Sequence, residues 1–386
     1  MRTRSPTRRS FHLLLYVVVV SLTALTGCGG PPSPTEEAPE EPSAGTAETI
    51  EEAGRLSMRD AVGQMFIVGL GGTEPDYYIE KMVRERNVGG VLLLGHNMRS
   101  EEQTKSLTDA LQRLATSTDP AVPLLVAANH EGGEVQGAPW VLEQPAAAEV
   151  GERGDPGEAR RIAEEIGREL LRGGVNTDLA PVVDTGSGAA IGSRSYGADP
   201  ALVAQMGAAS IKGFERAGVV SAAKHFPNHG PALADSHVAL PTVNHDVETI
   251  LNSDLHPFRA AVEAGAPIVM LGHLVYPALN PVMPASLSPA AVGLLRGELG
   301  FEGVIVTDDL MMEGARRGGT TAEAAVEAAK AGVDLLMVSA PPEEQAAAYD
   351  AVVNAVESGE IPPERIEASV ERIKNIKNRY LLYSGD

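Results

Sequence analysis

The chain has 386 residues, 52 acidic against 31 basic side chains, and a formal charge of −21. That balance argues against nucleic acid as a partner and against a basic face docking on anionic lipid. Its single cysteine allows no internal disulfide, and the length is large for one domain unless that domain is a barrel.

Residues 1–28 read as an export segment. Arg2, Arg4, Arg8 and Arg9 precede an apolar run from Leu13 to Val20, and the segment ends Leu25-Thr-Gly-Cys28. A basic start, a short apolar core and small residues before the cut make a signal peptide, and the core is short for a membrane span. Leu-Thr-Gly-Cys resembles a lipobox, so Cys28 is expected to carry the lipid anchor, on the outer side of the bacterial cytoplasmic membrane. An uncleaved anchor helix would also leave the domain outside, and a secreted form is the alternative. Thr7-Arg-Arg-Ser-Phe11 resembles a twin-arginine signal. Residues 29–54 are rich in Pro, Glu, Ala, Gly and Ser and are expected to form a flexible tether.

From Arg55 to Asp386, short apolar runs alternate with helix-like stretches. The runs are Met65–Leu70, Gly90–Leu94, Leu124–Ala128, Thr177–Val183, Val219–Ala223, Ile268–Leu271, Val304–Thr307 and Leu335–Val338. Runs this short and this rich in Val, Ile and Leu suit buried parallel strands. The stretches between them include Gly157–Gly173, Pro200–Gly218, Val247–Gly265 and Thr320–Gly332, each closed by a glycine. Eight alternations predict an α/β fold of the (β/α)8 TIM-barrel type, in preference to a doubly wound sheet. Gly69-Leu-Gly-Gly72 lacks the GxGxxG spacing of a dinucleotide site.

Polar residues collect after the strands: Asn129-His-Glu131 after the third, Asp184 after the fourth, Lys224-His225 after the fifth, His273 after the sixth and Asp308-Asp309 after the seventh. In a barrel these positions form the active-site face. Some, such as His130 or His273, would sit there simply because apolar strands stop. The segment from Lys224 to Pro241 is punctuated by proline and glycine, so it reads as a loop leaving the Val219–Ala223 strand. Within it Asp235-Ser-His237 places a carboxylate where it can orient an imidazole, a plausible general acid/base. A zinc site built from His225, His229 and His237 with Asp235 is the competing reading, disfavoured because the prolines deny the helix on which His-x3-His binds best. Alternation along Gly303–Asp309 sends Asp308 and Asp309 to opposite sides, so one acid faces the centre and the other supports a loop.

Lys224-His-Phe-Pro-Asn-His-Gly230, Asp235-Ser-His237 and Gly303-Val-Ile-Val-Thr-Asp-Asp-Leu-Met-Met312 together resemble glycoside hydrolase family 3, nearest its β-N-acetylglucosaminidases. Ile191-Gly-Ser-Arg-Ser-Tyr196 and Pro284-Ala-Ser-Leu-Ser288 add to the resemblance, which runs from about Leu56 to Tyr380. It implies a retaining β-glycosidase with Asp308 as nucleophile, His237 as acid/base and Asp235 as its orienting partner. Arg194, Lys224, His225 and Asn129 would bind the sugar. No cofactor or metal is implied, and the second domain of some members is expected to be absent. The chain departs from the family pattern at Asn129, Glu134 and Gly137, where the resemblance leads one to expect Asp, Arg and Arg, and at Asn228, where it leads one to expect Gly. A β-glucosidase, a phosphorylase and a non-catalytic sugar-binding lipoprotein are the alternative readings.

Overall fold

A computed structural model describes residues 56–382 apart from 187 and 189. The export segment, Cys28 and the tether lie outside the described residues. Ten strands occur among those described: β1 Phe66–Gly69, β2 Gly90–Leu92, β3 Leu125–Ala128, β4 His130–Gly132, β5 Val135–Gln136, β6 Thr177–Asp178, β7 Val220–Phe226, β8 Ile268–Leu271, β9 Val304–Thr307 and β10 Leu336–Val338. Eight form one parallel sheet in the order β10-β1-β2-β3-β6-β7-β8-β9. The edges meet through the parallel bridge Val306 to Leu335, with Thr307 N–H donating to Leu335 O at 3.0 Å, and the sheet closes into a barrel. β4 and β5 form a separate antiparallel hairpin at the end of β3.

The barrel strands are buried on both faces, as a layer covered by helices must be. Asp155 and Asp199 cap helices that begin with Pro156 and Pro200, where a missing N–H is no loss. Thr320 and Glu323 form a reciprocal capping box, and Gly332 closes that helix at φ 110°. The stretch expected as one helix, Val247–Gly265, contains a π turn at Ile250–Asp254 that turns Asp254 into the interior. Such bulges place one side chain off the regular helical face.

One boundary differs in a way that matters. Lys224 and His225 were expected in a loop, yet they lie inside β7, which runs on to Phe226. Their backbone pairing extends past Ala223 because the Val183 N–H bonds Lys224 O and the Gly272 N–H bonds Phe226 O. A strand therefore holds these side chains at the C-terminal rim.

Candidate active site

Three barrel segments meet on one carboxylate. Glu131, on the β4 hairpin, accepts from Arg194 Nε and Nη2 at 2.7 Å each and pairs with Lys224 Nζ at 2.7 Å. Its side chain is 6% exposed. Burial raises its pKa, but the Lys224 ammonium and the bidentate Arg194 together outweigh burial and bring it to about 2. Lys224 Nζ also donates to Asn129 Oδ1 at 2.9 Å. Asn129, Lys224 and Arg194, named separately from the sequence, are thus joined through Glu131, which the sequence marked as a strand-end residue without a role of its own. Beneath them His130 is buried and held neutral, its pKa near 4 because of burial, with Nδ1 accepting from Ala138 N–H.

A second buried acid organises the other side. Asp184 accepts from the backbone N–H of His225 at 3.1 Å and of His229 at 2.6 Å, and contacts His225 Nδ1 at 2.7 Å. Its carboxyl stays below the usual range: burial opposes this, and His225 then His229 overcome it. Sequence reading marked Asp184 only as a strand-end residue. The signal was available in its position after a strand, but its partners lie 41 and 45 residues away.

Asp308 stands at the end of β9. Burial would raise its carboxyl, yet His225, His273 and the Asp309 N–H bring it down to about 2. Its Oδ1 accepts from that N–H at 2.8 Å. Asp309 turns the other way and accepts from Met311 N–H, Ser339 N–H, both 3.1 Å, and Ser339 Oγ. Burial raises the Asp309 pKa. Strand alternation had called for this divergence. His273 braces the turn: Nε2–H donates to Asp309 O at 2.9 Å while Nδ1 accepts from Ser286 Oγ at 2.7 Å.

His237 and Asp235 lie on the overhanging loop. Asp235 Oδ1 accepts from His237 N–H at 2.9 Å and contacts Nδ1 at 2.7 Å. The pair faces solvent, with the His237 side chain 68% exposed. Among the described residues no hydrogen bond joins it to Asp308. The link is through Ser236, whose Oγ meets His229 Nε2 at 3.1 Å and whose carbonyl accepts from Gly314 N–H at 3.1 Å. The loop is therefore fastened both to β7 and to the segment following β9. Asn228 anchors its base, donating to Thr185 Oγ1 and Asp254 Oδ1 and accepting from Thr185 and Gly230 N–H. Every polar atom of that amide is engaged, which suits Asn to its surroundings.

The departures near Asn129 are interlocked. Gly137 N–H donates to Asn129 O at 3.1 Å, and a Cβ at position 137 would lie 2.7 Å from that oxygen. An Arg there would force the hairpin apart from β3. Glu134 instead accepts from Ser193 Oγ at 3.3 Å, beside Arg194. Among the described residues no group of three or more His, Cys, Asp or Glu could hold a metal ion.

Residues 57–376 match the family described as glycosyl hydrolase family 3 N terminal domain. Beta-hexosaminidase A of Pseudoalteromonas piscicida is 34% identical over 329 residues, 78% of this chain and 55% of its own length. A beta-hexosaminidase of Alkalilimnicola ehrlichii is 36% identical over 293 residues, 72% of this chain and 81% of its own. Among solved structures, a family 3 beta-N-acetylglucosaminidase from a Paenibacillus species superposes with a TM-score of 0.84 at 40% identity, covering 86% of this chain and 64% of that one. A beta-N-acetylhexosaminidase from Beutenbergia cavernae gives 0.78 at 31% identity, covering 84% and 99%. The chain thus spans just over half of the first relative and nearly all of the last. With the barrel and its rim residues in the same chain segment, the protein belongs to glycoside hydrolase family 3.

Proposed function

We propose that the protein is a retaining β-glycosidase that hydrolyses terminal β-N-acetylglucosaminides, such as cell-wall fragments or chitin-type oligosaccharides. The observation that carries this is Asp308: a half-buried carboxylate kept ionised beside cations, with one oxygen engaged by backbone and the other left without a partner among the described residues. In this reading His237, oriented by Asp235, gives a proton to the glycosidic oxygen. The Asp308 carboxylate attacks C1, the C1–O bond breaks, and a glycosyl ester forms. Neutral His237 then takes a proton from water as that water attacks C1 and frees Asp308. Arg194, Lys224, His225 and Asn129 bind the sugar hydroxyls, and Glu131 and Asp184 hold those side chains in place. An imidazole in place of a second carboxylate also leaves room for phosphate as the second-step acceptor.

The test is a panel of aryl β-glycosides on the full chain, with and without phosphate. Turnover of the N-acetylglucosaminide without phosphate supports hydrolysis, and strict phosphate dependence replaces it with phosphorolysis. A slow fluorinated glycoside should label Asp308, and labelling of another residue would overturn its role. For location, the reading is a lipid anchor at Cys28. Cys28→Ala should then move the protein from the membrane fraction to the soluble one, and equal partition of both forms contradicts the anchor.

A further inference from the structure

Across the rim from Arg194, which follows β6, lies a cavity of about 270 Å³ between the ends of β10, β1 and β2. Its lining includes Leu70, Tyr78, Leu94, His96 and Ser339. The volume is just below the roughly 300–1,000 Å³ of drug-sized ligand sites, so it suits one small ring.

The cavity is built by buried amides. Asn97, fully buried, donates to Leu70 O at 3.0 Å and Gly72 O at 2.7 Å while its Oδ1 accepts from Leu94 N–H at 2.8 Å. That ties the β1 loop to the β2 loop. Gln345 does the same between β1 and β10, donating to Gly69 O at 3.1 Å and Ala340 O at 2.7 Å. Tyr78 forms one wall and is 48% exposed, with the edge of Tyr77 packed against it at 5.8 Å between ring centres. Ser339 forms another and bonds Asp309, the residue after Asp308.

Position then indicates an occupant. Asn129 and Glu131 follow β3, Arg194 follows β6 and Lys224 lies in β7, whereas β10 is four strands from β6 around the closed sheet. In a β-glycoside of gluco configuration the C1 and C4 substituents are both equatorial and point in opposite directions. A sugar gripped by its hydroxyls near β3, β6 and β7, with C1 at Asp308, therefore sends its leaving group toward β10 and β1. We infer that the Tyr78 cavity is the leaving-group subsite, taking the next β-linked sugar of the substrate with its ring face against Tyr78. This rests on the glycosidase reading above. Aromatic side chains offer a large apolar face of fixed geometry to such a ring.

The experiment uses the full chain and two substrates: N-acetylglucosaminyl fluoride, which has no second sugar, and the β-1,4-linked trisaccharide of N-acetylglucosamine. The quantity read is the ratio of kcat/KM for the trisaccharide to that for the fluoride. Tyr78→Ala should lower this ratio roughly tenfold, and Tyr78→Phe should preserve it. A ratio that Tyr78→Ala leaves unaltered, while the fluoride is turned over, overturns the subsite alone. Failure of the unaltered protein to turn over the fluoride overturns the glycosidase reading and this inference with it.

Discussion

At the N-terminal end of the barrel Asp334 has both carboxylate oxygens filled. Oδ2 accepts from Arg296 Nη2 at 2.6 Å and Ile305 N–H at 2.8 Å, and Oδ1 from Ser369 Oγ at 2.5 Å and Arg372 Nη1 at 3.2 Å. At the other end Asp308 accepts one bond, from its neighbour's N–H, and Oδ2 accepts none among the described residues. Asp334 is buried and Asp308 half-buried in the same barrel, each near several cations. The difference lies in unused valence: Asp334 is saturated and ties the helices carrying Arg296 and Arg372 to β9, while Asp308 keeps one oxygen without a partner among the described residues. Saturation makes a structural joint, and an open oxygen makes a nucleophile possible.

Replacing the two acids should separate these roles most sharply. Asp308→Ala is expected to lower kcat by about 10⁴-fold or more, with the unfolding midpoint held or raised. Asp334→Ala leaves half-buried guanidiniums without their shared buried partner and should cost about 3–5 kcal/mol of stability, while folded molecules keep their rate. Denaturant titration combined with rate per folded molecule reads both. A stable but inactive Asp334→Ala protein would break the distinction.

The next largest effect concerns the exposed pair. Asp235→Ala should lower glycosylation by about 10²–10⁴-fold for poor leaving groups and less for activated aryl groups, which need little protonation. Equal losses across a leaving-group series, with glycosylation rate-limiting, would remove the pair from proton transfer.

At the cluster of Asn129, Glu131, Arg194 and Lys224, Asn129→Asp should lower KM for a plain N-acetylglucosaminide several-fold, by roughly 1 kcal/mol. Gly137→Arg should fail as a reversion, because its Cβ meets the Asn129 carbonyl, and should destabilise by about 1–3 kcal/mol. The single and double variants must be compared, since the residues touch. A Gly137→Arg protein as stable as its parent would contradict the close approach.

A further variant tests the opposite end again. Lys377 is fully buried, with Nζ donating to the neutral Gln64 Oε1 at 2.8 Å, and burial brings its pKa down to about 7. Since the folded pKa is below the unfolded one, the unfolded chain binds the extra proton between about pH 7 and 10. Stability from this group therefore rises with pH across that window. Lys377→Met should raise the neutral-pH stability by about 1–4 kcal/mol and flatten the rise, as followed by melting temperature against pH.

Sequence reading located the barrel because each strand is a compact Val, Ile and Leu run buried on both faces. Val304–Thr307 and Ile268–Leu271 carry the same bounds in both readings. It mistook the end of β7 because Lys224 and His225 look like loop residues, and only their pairing with Val183 and neighbouring strands keeps them extended. Rim positions after each strand were legible from order alone. Who binds whom was not: Glu131 meets Arg194 and Lys224 across 63 and 93 positions, and no local pattern encodes that. The π turn that buries Asp254 was likewise invisible, since its cause is the Asn228 and His245 partners it reaches.

Gly314 gauges the distance between the two arms of the rim. A Cβ there would lie 2.9 Å from the His273 Cβ and 3.0 Å from Ser236 O. One hydrogen in place of a methyl is thus the shim that lets the His237 loop settle beside the bracing imidazole under Asp309. Any wider residue lifts the loop and displaces the brace together, so the Asp235–His237 pair and Asp308 would shift as a couple. The aperture of the site is written at a position with no chemistry of its own.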